Sequence, residues 1–261
     1  VENVGGAGGT TGSVRAARST PDGCTILVGQ MGTHGTAPAL YPRLQYDPVS
    51  DFEHVGQISD TPIGVFVRKG LPVSSLQELV SLIRSSPEKL NNGHGDVGST
   101  SHVSCLLFTA LIGVRSPVIP YRGSGPALSD LITEKHDFMC DQIPHTVEHA
   151  RAGSVRALAL AQLNRSDALP SVPTTTEAGL PSFQASGWNA MFAPKGTPKA
   201  IVERLAAALE AAHSDPATVR RLTEIGAVIP AKRGPDALRA FVAAEVEKWT
   251  PVVKAANVRI E

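Results

Sequence analysis

Between residues 90 and 161 the chain alternates short apolar runs with helical stretches. The pattern predicts strands near Leu90 to Gly93, Val118–Tyr121, Phe138–Asp141 and Val155–Ala161, with helices Ser101–Leu111, Pro126–Ile132 and Pro144–Ala152 between them. Strand, Gly-rich or Ser-rich turn and amphipathic helix, repeated, is the signature of a parallel sheet covered by helices. In the first of these helices Val103, Leu106, Leu107, Ala110 and Leu111 form a stripe expected to pack on the sheet, with a polar face opposite. Upstream, the same reading gives a helix from Thr10 to Arg18, a turn at Asp22-Gly23, a strand from Thr25 to Val28 and a loop over Gly29–Gly35 at its C-terminal end. After a Pro-rich connection at residues 169–173, an apolar run from Trp188 to Pro194 leads into three helices with Pro198, Pro216 and Pro235 at their starts.

Composition narrows the functional classes. The 261 residues, 42% hydrophobic, suffice for one large domain or two lobes of ordinary size. Twenty-four basic residues balance 24 acidic ones, which argues against a nucleic-acid partner or an anionic membrane surface, since both need a basic surplus. No apolar run of about 18 residues is present. Cys24, Cys105 and Cys140 lack metal-ligand spacing; Cys105 and Cys140 read as small buried hydrophobes, and whether they pair is left open. The opening Val1-Glu2-Asn3-Val4 reads as the end of a strand with no initiator Met or signal peptide before it, so a preceding strand and helix are expected to be missing.

The stretch Asp96-Val97-Gly98-Ser99-Thr100-Ser101-His102 lies between a strand and an apolar helix. The first amides of a helix have no intrahelical partner, and the dipole places partial positive charge there. With three hydroxyls in a row, this start is a candidate receptor for a carboxylate or phosphate, although each hydroxyl alone is first a helix cap. A second such opening, Tyr121-Arg122-Gly123-Ser124-Gly125-Pro126, adds a cation. Ligands of open parallel sheets bind beyond the carboxyl ends of the strands, so Gly98 to Ser101, Arg122 to Ser124 and Asp141-Gln142 are expected to converge. Asp141 would there serve a ligand ammonium, a bound water or the cap of the next helix.

Three enzyme or cofactor readings compete. Gly6-x-Gly8 with Gly12 has the wrong spacing for a dinucleotide loop, and the strand after it ends at Gly29-Gln30 without the acidic residue that would hold a ribose, so no nucleotide cofactor is expected. No G-x-S-x-G elbow is present, and Ser99 to His102 sit side by side rather than as nucleophile, base and orienting acid. His145-Thr146-Val147-Glu148-His149 matches H-x-x-E-H, which makes a zinc-dependent hydrolase the sharpest alternative. A five-residue match is cheap, no third ligand is identifiable, and an exposed polar helix is the favoured reading, with no metal expected.

Several motifs taken together carry a resemblance. Val-Glu-Asn with Gly-Ala-Gly-Gly in residues 1–9, Pro-Asp-Gly at 21–23, Gly-Thr-His at 32–34, Pro-Ala-Leu-Tyr at 38–41, Pro-Tyr-Arg-Gly-Ser at 120–124, Pro-Thr-Thr at 173–175 with Glu-Ala-Gly at 177–179, and Ala-Pro-Lys-Gly-Thr-Pro at 193–198 stand in one order along nearly the whole chain. In this the sequence resembles the Bug family, the extracytoplasmic solute receptors of tripartite tricarboxylate transporters. The resemblance implies an α/β, two-lobed type II periplasmic-binding-protein fold, with residues 1–66 and 188–261 in domain one and 67–187 in domain two. It implies a periplasmic, non-enzymatic protein without cofactor, expected to be a monomer, that closes its lobes on a small carboxylate and delivers it to the membrane permease subunits. The carboxylate could be a dicarboxylate, a tricarboxylate, an acidic amino acid or an aromatic acid. The implied ligand contacts are Gly32, Thr33 and His34 from the first lobe and Gly98, Ser99, Thr100 and Ser101 from the second, joined by Asp141 and by Trp188, which could stack on an aromatic acid although core packing is its favoured reading. Relatives carry a first strand and a Pro-Gly-Gly loop ahead of Val1, and usually an aromatic residue where Cys24 stands, read as a packing change.

Overall fold

One 17-residue strand, Phe52–Arg68, runs through both halves of the molecule. The computed structural model describes residues 1–255, and they cluster into two compact units. The first comprises 1–60, 188–222 and Val228 onward; the second comprises 61–187 with 223–227. The break at Asp60 thus falls inside the long strand rather than after residue 66, and residues 223–227 go with the second unit rather than the first.

The first unit opens with helix α1 (Thr10–Ala17), strand β1 (Leu27–Gln30) and the short helix α2 (Ala37–Leu40), followed by the long strand β2 (Phe52–Arg68). The second unit then adds α3 (Leu76–Ser85), β3 (Asn92–His94), α4 (Thr100–Leu111), β4 (Val118–Pro120), α5 (Ser124–Ile132), β5 (Phe138–Gln142), α6 (Ile143–Arg151) and β6 (Val155–Leu160). Strand β7 (Ser186–Pro194) leads back to the first unit and to the helices α7 (Lys199–Ser214), α8 (Pro216–Glu224) and α9 (Pro235–Ala255).

The parallel pairing expected from the repeats holds for β3, β4 and β5 and not for the other strands. β3 pairs in parallel with β4 and with β5, but β2 pairs antiparallel with β5 on one side and β6 on the other. β1 pairs antiparallel with β7, Leu27 opposite Phe192 and Gln30 opposite Asn189. Parallel neighbours require a crossover, which the βα repeats of the second unit supply to β3, β4 and β5.

Segment 29–35 also departs from the loop expected there. β1 continues to Gln30, and Met31–Thr36 form a π-helical turn. A reciprocal cap holds it: the Gln30 amide donates to Thr33 Oγ1 at 3.1 Å, and the Gln30 side chain accepts from the Thr33 backbone.

The packed face of α4 is a further correction. Leu106 and Leu107 are only half-buried and Ala110 is exposed, whereas Ser101, Ser104, Cys105 and Phe108 face the interior. Phe108 packs between Phe138 and Phe183, with ring centroids 6.1 and 5.5 Å away. Ser104 and Cys105 are small enough to let α4 lie close to β5, and burying Phe108 contributes about 1.5–3 kcal/mol to this packing. On another side of this sheet Phe66 and Met139 pack with Ala127, Leu128 and Leu131 of α5.

Candidate functional site

In the second unit the loop after β3 turns sharply into α4. Gly98 takes φ +84°, a left-handed conformation that favours glycine. Ser99 is the N-cap, its Oγ accepting from the His102 amide at 3.3 Å. Ser101 Oγ lies 3.0 Å from Ser99 Oγ and accepts from the Gly95 amide at 2.9 Å. The hydroxyls are therefore tied to one another and to the turn, which fixes the direction of the first amides of α4 before any guest arrives.

The β4–α5 turn meets this loop. The Gly123 amide donates to the Gly95 carbonyl, and a Cβ on Gly95 would stand 2.7 Å from the Ser124 nitrogen. Only glycine permits that approach. Gly95→Ala is expected to push the two turns apart, destabilising the fold by about 1–3 kcal/mol in chemical denaturation and removing any ligand-induced stabilisation. Asp141 is the last residue but one of β5, which pairs in parallel with β3.

Asp141 is 1% exposed, and its Oδ1 accepts from the Gln142 amide at 2.8 Å and from His145 Nδ1 at 3.3 Å. Among the described residues its Oδ2 has no hydrogen-bond partner. The bond to Asp141 raises the pKa of His145 above its ordinary value, against the effect of burial. Behind the loop, His94 and His102 stack with centroids 4.2 Å apart. His94 Nδ1 donates to the Asp96 carbonyl at 3.0 Å, while His102 Nδ1 accepts from the Gly98 amide at 3.0 Å. Burial lowers them to about 4 and about 3 respectively, and His94 adds to the shift of His102. Both rings are neutral at pH 7.

Three expected contacts are placed differently from their sequence reading. The Gly98 amide is committed to His102 rather than open to a ligand. In the first unit, His34 is wholly buried, stacked on Phe192 at 4.1 Å, with its Nδ1 2.8 Å from Thr33 Oγ1. Gly29 leaves room for that ring, since a Cβ there would meet it at 2.6 Å. Trp188 is also wholly buried, and its Nε1 donates to Glu245 Oε2 at 2.9 Å, the core packing that the sequence favoured over stacking on an aromatic acid. Thr33 is 4% exposed and its carbonyl accepts from the Tyr46 hydroxyl at 2.6 Å.

His145 and Glu148 are exposed and His149 half-buried, and Glu148 pairs with Arg151 at 2.8 Å. No group of three His, Cys, Asp or Glu among the described residues could hold a metal ion. The H-x-x-E-H segment lies within α6.

Comparison with known proteins gives the chain its place. Residues 1–258 match the family described as the tripartite tricarboxylate transporter family receptor. The chain belongs to that family. A protein of the TAR-I ttuE-ttuC' intergenic region of Agrobacterium vitis is 38% identical, over 98% of this chain and 75% of its own length. MatC from Rhodopseudomonas palustris with bound malate is 42% identical and superposes with a TM-score of 0.91, covering 95% of this chain and 85% of that one. The periplasmic binding protein BugD is 36% identical with a TM-score of 0.94, over 99% of this chain and 87% of its own. The fold is thus the α/β fold of the Bug-type periplasmic binding proteins, and the family is one of extracytoplasmic receptors. No described helix is long and apolar enough to cross a membrane.

Proposed function

We propose that this receptor binds a small carboxylate in the periplasm at the start of α4 and hands it to the membrane permease subunits of a tripartite transporter, without turning it over. The observation that carries the reading is the α4 start itself, where a Gly-Ser-Thr-Ser turn, locked by its own hydrogen bonds, directs helix amides toward the carboxyl end of a parallel strand pair. Ser99, Thr100 and Ser101 are its contacts in the second unit, with Asp141 beside them. Of the first-unit candidates only Gly32 is kept, because the His34 ring is buried, the Thr33 hydroxyl and amide serve the turn and the Thr33 carbonyl accepts from Tyr46. The malate bound by MatC, a protein 42% identical, favours a hydroxy-dicarboxylate among the candidate solutes. The protein is proposed to act as a monomer.

A thermal-shift screen tests this, with mono-, di- and tricarboxylates, aromatic acids, acidic amino acids, zinc and a chelator. One carboxylate class should raise the midpoint saturably, by about 2.7 kcal/mol of added stability at a hundredfold excess over Kd. Ser99→Phe is expected to abolish that shift and His149→Ala to leave it intact. A response to zinc or chelator alone, with silence from every carboxylate, would sink the reading.

A further inference from the structure

Cys105 on α4 and Cys140 on β5 are 1% and 0% exposed and take no part in the proposed binding. They are nevertheless neighbours. The Cys140 amide donates to Cys105 Sγ at 3.0 Å across 35 residues of chain. The remaining cysteine, Cys24, is exposed and lies in the other unit.

We propose that Cys105 and Cys140 close into a disulfide when the chain folds in an oxidising compartment. The inference takes that compartment from the extracytoplasmic reading and nothing from the identity of the solute. The co-reactant is an external disulfide, either an oxidoreductase or a small disulfide such as oxidised glutathione. The thiolate of one cysteine attacks a sulfur of that disulfide, forming a mixed disulfide and expelling one oxidant thiolate. The thiolate of the second cysteine then attacks its partner's sulfur, the S–S bond forms and the other oxidant thiolate departs. The protons lost by the two cysteines end on the two departing thiolates, and the two electrons reduce the oxidant. Because both sulfurs are buried in the native fold, the exchange belongs to folding, and the closed bond is afterwards sheltered from reductants. It would tie α4 to β5 little more than one turn below the amides at the start of the helix.

The test is to refold the full chain with oxidised glutathione, alkylate it under denaturing conditions and map the peptides by mass. Alkylation of Cys24 alone, with a linked peptide pair containing Cys105 and Cys140 that dithiothreitol releases, is the expected result. The oxidised protein should also melt roughly 5 °C or more above the reduced one. Cys140→Ser should lose both the linked pair and the redox dependence of melting, and Cys24→Ser should keep both. Alkylation of all three cysteines, or any link that includes Cys24, would overturn the proposal. A carboxylate panel without a hit, in protein that does form the link, would count against the solute reading and leave this one standing.

Discussion

Acidification from pH 7 to about 4 is expected to unfold the protein cooperatively, because four buried histidines are held neutral by the fold. His34 is lowered to about 3 by burial and by His54; His54 to about 4 by burial, Arg239 and Lys195; His94 to about 4 and His102 to about 3 by burial first. Above pH 6.5 each is neutral in both the folded and unfolded chain and exerts no pH dependence. Below 6.5 the unfolded chain takes up protons that the folded chain refuses, so stability falls by about 1.4 kcal/mol per pH unit for each histidine. The fall ends only when pH passes the folded values. By pH 4 the four together cost on the order of 10 kcal/mol, comparable with the whole stability of an ordinary domain. His145 works in the opposite sense, its stabilisation being present at low pH and lost as pH rises, but its side chain is 45% exposed and the contribution is small. Circular dichroism against pH, with denaturant melts at pH 7 and 5, measures the slope; equal stability at the two values would contradict the account. Both ring nitrogens of His54 lack partners among the described residues, so His54→Phe should lower the acid midpoint.

Replacing Glu245 by Ala is expected to cost about 3–5 kcal/mol in chemical denaturation, the loss typical of breaking a buried charged contact. Glu245 is 6% exposed, and its Oε2 accepts from Trp188 Nε1 at 2.9 Å and from Trp249 Nε1 at 3.0 Å. Lys248 approaches the other oxygen at 3.1 Å. Residues 245 and 249 are one turn apart on α9, so a single helix face presents both the acceptor and one of its donors. Without the carboxylate, two indole N–H groups are left buried and unmade, each costing about 1–3 kcal/mol, while the half-exposed Lys248 returns to water. Glu245→Gln retains an oxygen for the indoles and should cost much less. A loss below about 1 kcal/mol for the Ala variant would show that the indoles find other acceptors.

The βα repeats of residues 90–161 were legible because each element shows its period within a window of ten residues. β2 was not. Pro62 interrupts the run of Phe52–Arg68, and proline within a run argues against a strand. The structure accommodates it because the flanking amides bond outside the β2 ladders, Asp60 to the Val228 carbonyl and Ile63 to that of Ala185, at a point where the strand changes partners. The hydroxyl-rich start of α4 could be read from its own seven residues, since caps and helix ends are local. The burial of His34 and the partner of Trp188 could not, because they depend on Phe192 and Glu245, which are distant in sequence. The commitment of the Gly98 amide does have a local signal, a histidine four residues later, one helical turn on.

Trp188 and Trp249 are the only tryptophans in the chain, and both belong to the first unit and share one carboxylate. Indole emission is therefore a one-sided gauge. It follows the environment of Glu245 and is blind to anything confined to α4, β5 and their neighbours. A quenching titration that stays flat says nothing about occupancy at Ser99, and an emission midpoint that differs from the far-ultraviolet dichroism midpoint would mean that the two units come apart in separate steps. A tryptophan introduced at half-buried Leu107, on the outer side of α4, would give the second unit its own signal.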